Sequence, residues 1–308
     1  MAIDARLLSA EERKVAPRHR HEALDLARRL PPLIVTARQI ASSVAHGVHG
    51  RRRAGIGESF WQFRPFVSGE SAAAVDWRRS ARDDRTYVRE REWESAQTVW
   101  LWIDASVSMA FQSALAMQSK LDRALTLGFA AADLLVRGGE RVGLHGLTRP
   151  YANRAVVEKL AEALVLHSRT AGGEELPQRT PLPARSRALL LGDFLADATE
   201  ITDTVATLAQ GGATGDIVLI ADPIEETFPF DGHVELLDTD TAARLRLGEA
   251  RSLQSTYLTR LAAHRDRIQA CARAHGWGVL LHRTDQPAAP ALLALTASMG
   301  RAPQWQAN

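Results

Sequence analysis

The chain has 308 residues, 45% of them apolar and 24% charged, which is enough for one large domain with an appendage or for two domains, and enough to bury a substantial core. Its 38 basic residues nearly cancel 36 acidic ones, leaving a net charge of +2, so the totals give no sign of the strong positive field of a polyanion-binding protein. A lone cysteine, Cys271, excludes an intramolecular disulfide and fits a reducing compartment, with the cytoplasm as the expected location.

The opening segment has no cationic start followed by an apolar core and a small-residue cleavage site, and no later apolar run reaches the length of a membrane span; neither a signal peptide nor a spanning helix is expected. Leu33, Ile34, Ala37, Ile40, Ala41 and Val44 recur at helical spacing and stop at Gly47. Further on, "TYVREREWE" alternates like a strand. After Ala96 the character changes. Continuous apolar runs of strand length, "TVWLWI" (98–103), "RVGLHGL" (141–147), "ALLLGDF" (188–194), "DIVLIAD" (216–222) and "GVLLHR" (278–283), suit strands covered on both faces. Helical patterns alternate with them. The first follows Ser119, which with Asp122 resembles a capping box, and ends at Gly138–Gly139; others span Ala155–Leu166, Ala198–Ala209 and Leu253–His275. A Gly- and Pro-rich loop is expected over 168–186, and a second irregular stretch after the fourth run, "DPIEETFPFDGHVELLDTDT". This order predicts an α/β fold with a doubly wound, mostly parallel sheet over 96–308, carrying an N-terminal helical and strand-containing extension, 1–95, packed on it.

Asp104 closes the first run of the alternating region, where an open parallel sheet binds its ligands. A turn after that strand brings Asp104, Ser106 and Ser108 around one point. Read locally, these residues either cap the next helix or offer hard oxygens suited to Mg²⁺. The third run ends in a matching acid, Asp193, and Thr170 in the preceding loop offers another oxygen.

"IDASVS" resembles the Asp-x-Ser-x-Ser element of von Willebrand factor A domains, whose metal-ion-dependent adhesion site adds a Thr and an Asp from two later loops. The stretch before it, "FRPFVSGESAAAVDWRRSARDDRTYVREREWE", resembles the signature of bacterial proteins of domain-of-unknown-function family 58, and "DPIEETFPFDGHVELLD" is similar to that family as well. Several separated motifs in one order make the resemblance specific. Two positions depart from it, with Gly69–Glu70 where the family has Gly-Asp, and alanines in "SAAAVDW" where it often has an Arg. The resemblance implies a von Willebrand factor A-like fold and Mg²⁺ or another divalent cation held directly by Ser106 and Ser108, through water by Asp104 and Asp193, with Thr170 as the least well matched ligand. It also implies a non-enzymatic adaptor that docks a partner's acidic side chain and works with a MoxR-type AAA+ ATPase in protein or complex maturation.

Two other classes compete. A metal-dependent hydrolase or phosphatase would use Asp104 as nucleophile, but no phosphate-clamping lysine follows; Lys120 sits at a helix start. Nucleic-acid binding would use Arg51, Arg52, Arg53, Arg78, Arg79 and Arg82 with Trp61, Trp77 and Tyr87, yet Asp76, Asp83, Asp84, Glu90 and Glu92 interleave with them. Trp77 and Trp93 read as packing residues, Cys271 as a buried structural thiol, and His19, His21, His46 and His49 as surface histidines.

Overall fold

Strands built from uninterrupted apolar residues need a cover on each face, and the architecture supplies one. A computed structural model describes residues 24–45, 60–67, 71, 75–82, 85–91, 96–170, 173–237 and 244–299. Five strands, β3 (Thr98–Ile103), β4 (Arg141–Leu144), β5 (Arg187–Gly192), β6 (Thr214–Ala221) and β9 (Gly278–Arg283), form one parallel sheet in the order β4-β3-β5-β6-β9. Period-two geometry then sorts the side chains. Val99, Leu101, Ile103, Leu189, Leu191, Val218 and Ile220 enter one core, whereas Trp102, Ala188, Leu190, Ile217 and Leu219 enter the other. The first core is covered by a helix over 24–45 (α1), α3 (Lys120–Arg137), α4 (Val156–Thr170) and α8 (Ala288–Met299); the second by α5 (Ala198–Ala209) and α7 (Gln254–Ala274). The expected doubly wound α/β sheet is the observed one.

Two compact units divide the chain, one holding the 24–45 helix and the main sheet, the other falling within Gly47–Ala96. In the first, α1 buries Leu26, Leu30, Ala37, Ala41 and Val44 in the main core, each leucine contributing roughly 1.5–3 kcal/mol. Arg29 pairs with Asp122 of α3 at 2.6 Å and Arg38 with Glu158 of α4 at 2.7 Å. The second unit is an antiparallel pair, β1 (Phe60–Pro65) and β2 (Tyr87–Arg91), with a short helix α2 (Trp77–Ser80) capped by Asp76. Trp77, expected as packing, is 66% exposed, because it starts a one-turn helix that buries none of its residues. The expectations for His19, His21, His46, His49, Arg51, Arg52, Arg53 and Trp93, and for the side chain of Trp61, lie outside the described residues.

The stretch expected to be irregular after β6 contains a helix, α6 (Pro223–Thr227), and one arm of an antiparallel pair, β7 (Val234–Leu237) with β8 (Arg244–Leu247). Asp222 and Glu225 close a capping box there, with Pro223 at the first helical position. Helix α8 was absent from the expected elements: "AAPALLALTASM" is apolar nearly all round, so it carries no helical period to read. Cys271 is only partly buried and donates to the Thr202 carbonyl.

At the carboxyl end of β9, His282 is buried with its Nε2 lacking a partner among the described residues. Burial, reinforced by the Arg123 guanidinium, pushes it down to about 4. A depressed pKa favours the folded state fully above the ordinary value of 6.5, and this stability is lost as pH falls through 4. His282→Phe is therefore expected to remove up to about 3 kcal/mol of acid-induced destabilisation between these limits, as measured by urea unfolding across that pH range.

Candidate functional site

After β3 the chain runs first to β4 on one side and then returns to β5 on the other, so β3 and β5 flank the topological switch point. Their carboxyl ends are locked in register, with Ile103 opposite Leu191 and the Asp104 N–H donating to the Leu191 carbonyl at 2.8 Å. The sequence-predicted residues of both strand ends meet here. Asp104 Oδ1 accepts from the Ser106 N–H at 2.8 Å, the Ser106 and Ser108 hydroxyls lie 3.1 Å apart, and Ser108 Oγ donates to Asp193 Oδ2 at 2.8 Å. A 3₁₀ turn over Val107–Ala110 directs the two serines together.

Thr170 is placed differently from the expected loop. Helix α4 extends to Thr170, and its side chain lies outside the described residues. The following loop still reaches the site. A Cβ at Gly173 would fall 1.8 Å from the Ala105 carbonyl oxygen, so only glycine lets this segment lie against the serine turn. Gly192 at the end of β5 is confined in the same way, its added Cβ meeting Asp104 Cβ at 2.8 Å. Gly192→Ala is expected to cost about 1–3 kcal/mol and to displace Asp104, measurable as a lower urea midpoint.

Asp104 is 1% exposed and its Oδ2 has no hydrogen-bond partner among the described residues. Burial pushes its carboxyl up to about 7, assisted by the negative charge of Asp193 and opposed by the Ser106 hydrogen bonds. This orphaned oxygen beside two hydroxyls is a fit for a divalent cation: adjacent ligands of an octahedral Mg²⁺ at about 2.1 Å stand roughly 3 Å apart, close to the serine spacing. No group of three or more His, Cys, Asp or Glu side chains suited to a metal occurs among the described residues, so the hydroxyls are indispensable to such a site.

Next to the serine turn lies a cavity of about 470 Å³ between α1, α3 and α4, floored by Leu101, Leu121, Leu125 and Leu164 and bordered by Ser106 and Val107. Exposed apolar side chains crowd the loops that follow the same strands: Val107, Phe111, Leu115 and Met117 after β3, Leu147 after β4 and Leu195 after β5.

Residues 62–267 match the family described as protein of unknown function DUF58. The chain belongs to the DUF58 family. Relatives of this DUF58 chain include uncharacterized proteins of Mycobacterium bovis and of Mycobacterium tuberculosis, each 26% identical over 277 residues, covering 85% of this chain and 86% of the relative. Among solved structures it is similar to the conserved hypothetical protein BatB from Bacteroides thetaiotaomicron, at a TM-score of 0.36 and 13% identity, over 66% of this chain and 97% of that one.

In this DUF58 member the sequence reading missed two site residues. Lys120 is 1% exposed and donates to Asp193 Oδ2 at 2.8 Å and to Glu225 Oε1 at 2.6 Å. Burial acts to lower its pKa, and the two carboxylates outweigh it and hold the ammonium above its ordinary value. Lys120 follows the helix cap Ser119 directly, where the helix dipole favours an acid; that misplaced charge was the available signal. Glu225 was hidden by its second role, since its Oε2 also accepts from the Asp222 N–H in the α6 capping box.

Proposed function

We propose that this chain is a non-enzymatic docking protein that binds an acidic side chain of a protein partner at the Asp104–Ser106–Ser108–Asp193 cluster. The observation that carries the reading is the set of exposed apolar side chains, Val107, Phe111, Leu115, Met117, Leu147 and Leu195, on the loops that follow β3, β4 and β5 at the same end of the sheet as that cluster. Apolar side chains exposed together on one end of a protein are the mark of a partner surface. Ser106 and Ser108 would hold Mg²⁺ or another divalent cation directly, with Asp104 and Asp193 acting through water, and the bound cation would supply the positive charge that a carboxylate ligand needs. In this proposal the partner is a MoxR-type AAA+ ATPase, with this chain as adaptor in protein or complex maturation in the cytoplasm. No described helix is long and apolar enough to cross a membrane.

The phosphatase reading is weaker, because the lysine beside the cluster, Lys120, is already held by Asp193 and Glu225 instead of facing a phosphate. Capture of a purified MoxR-type ATPase on the immobilised chain tests the proposal. Capture is expected in Mg²⁺ and lost both with chelator and in Ser106→Ala; capture indifferent to all three would refute cation-gated docking.

A further inference from the structure

Lys120 occupies a position that is costly on two counts. Its ammonium is removed from water, and it stands at the first residue of an 18-residue helix, where the macrodipole opposes a positive charge. The carboxylates that it meets offset these costs, aided by the Phe111 ring, whose centroid lies 5.9 Å from the ammonium. They come from two other elements: Asp193 from the loop after β5, and Glu225 from α6.

The result is one continuous hydrogen-bonded chain. It runs from the Ser106 hydroxyl through Ser108, Asp193 and Lys120 to Glu225, then through the Asp222 N–H to Asp222, whose Oδ2 accepts from the Ser113 N–H at 2.9 Å. Both oxygens of Asp193 are engaged, Oδ2 by Ser108 and Lys120, and Oδ1 by the Leu195 N–H at 3.3 Å. A cation arriving at the serines thus meets an acid already neutralised by a neighbour.

We propose that Lys120 is the site's built-in counter-ion: it competes with a divalent cation for Asp193, so the cluster stays assembled without metal and binds metal weakly. The proposal rests on the docking reading above. Lys120 is a positioning residue, acting through Asp193. It separates two states. Without cation, Lys120 holds Asp193 and the serine turn in place; with cation, the charge of Asp193 is shared, and a partner's carboxylate adds to the cation's shell. Docking would then respond to cation concentration over the weak-binding range instead of being saturated at all times.

Calorimetric titration of MgCl₂ and MnCl₂ into the full chain tests this, alongside thermal unfolding in chelator and in Mg²⁺. Lys120→Met is expected to bind Mn²⁺ roughly ten- to hundredfold more tightly than wild type, because a nearby positive charge is gone. Its unfolding temperature should fall in chelator and be restored by Mg²⁺, whereas that of wild type shifts little. A merely structural lysine gives the opposite sign, since its loss would disorder the ligands and weaken binding. Equal or weaker affinity in folded Lys120→Met overturns the proposal and leaves the docking reading standing. Lys120→Arg keeps the charge and should keep wild-type affinity; a gain there equal to that of the Met variant makes the effect steric and also overturns it. If Lys120→Met does not fold under either condition, Glu225→Gln decides: with its second carboxylate neutral, Lys120 bears on Asp193 alone and affinity should fall several-fold, while unchanged or tighter binding refutes competition. Absence of binding heat in every protein removes the cation from the docking reading itself, and the proposal with it.

Discussion

Asp104→Asn is expected to stabilise the protein by about 2–4 kcal/mol in chelator at about pH 8, raising the unfolding temperature by roughly 5–12 °C. The carboxyl is 1% exposed, one oxygen is unpartnered among the described residues, and Asp193 adds a like charge. Burial raises its pKa from the ordinary value of 3.8 to about 7. A raised folded-state value gives stability that is complete below about pH 4 and is lost as pH rises through 7. The advantage of the asparagine should therefore grow across that window and vanish at its acid end. Asparagine keeps an oxygen for the Ser106 N–H, so the turn survives the change. Thermal unfolding at several pH values checks the prediction; a variant less stable than wild type at about pH 8 in chelator would contradict it. Saturating divalent cation should narrow the gap, because it compensates the charge that wild type carries and the variant lacks.

Arg187→Met should be the most damaging single change considered, costing about 3–5 kcal/mol. Arg187 opens β5 and donates from Nη2 and Nε to Asp216 Oδ2 of β6, at 2.7 and 3.1 Å, with both side chains nearly inaccessible. Asp216 Oδ1 accepts from Ser298 at 2.6 Å, and Arg187 Nη1 donates to the Met299 carbonyl at 3.2 Å, so this pair also anchors the end of α8. Removing the guanidinium leaves a carboxylate uncompensated in the interior. The double change Arg187→Met with Asp216→Leu removes both charges and should recover much of the loss. Urea unfolding of both variants distinguishes this account: equal destabilisation by single and double changes would show that the ion pair is not the origin.

The sheet was legible because "VWLWI", "ALLL" and "IVLIA" are covered on both faces and carry no polar interruption. Strand order, β4-β3-β5-β6-β9, is encoded by no local pattern and was not legible in the sequence. Asp104, Ser106, Ser108 and Asp193 were legible because two adjacent strands end in acids, and the fold brings those ends together at the switch point. Lys120 and Glu225 were not legible because their meaning lies in pairings across 73 and 105 residues. Locally, Lys120 reads only as a lysine at a helix start, and Glu225 falls in a stretch that reads as irregular. Thr170 was misplaced because polar residues at the end of α4, "HSRT", look like the start of a loop when the helix is in fact completing its last turn. Helix α8 escaped notice because a segment apolar on all sides has no stripe to detect.

The position of α1 has a consequence for the order in which the protein is made. Its first ionic staple, Arg29 to Asp122, spans 93 residues, and Arg38 meets the Arg154 carbonyl across 116. A ribosome therefore releases this amphipathic helix long before α3 and α4 exist to cover Leu26, Leu30 and Val44. Until those helices are made, the nascent chain carries a bare apolar stripe. Fragments that stop short of α4 keep that stripe exposed for good, and aggregation is the outcome to expect of them.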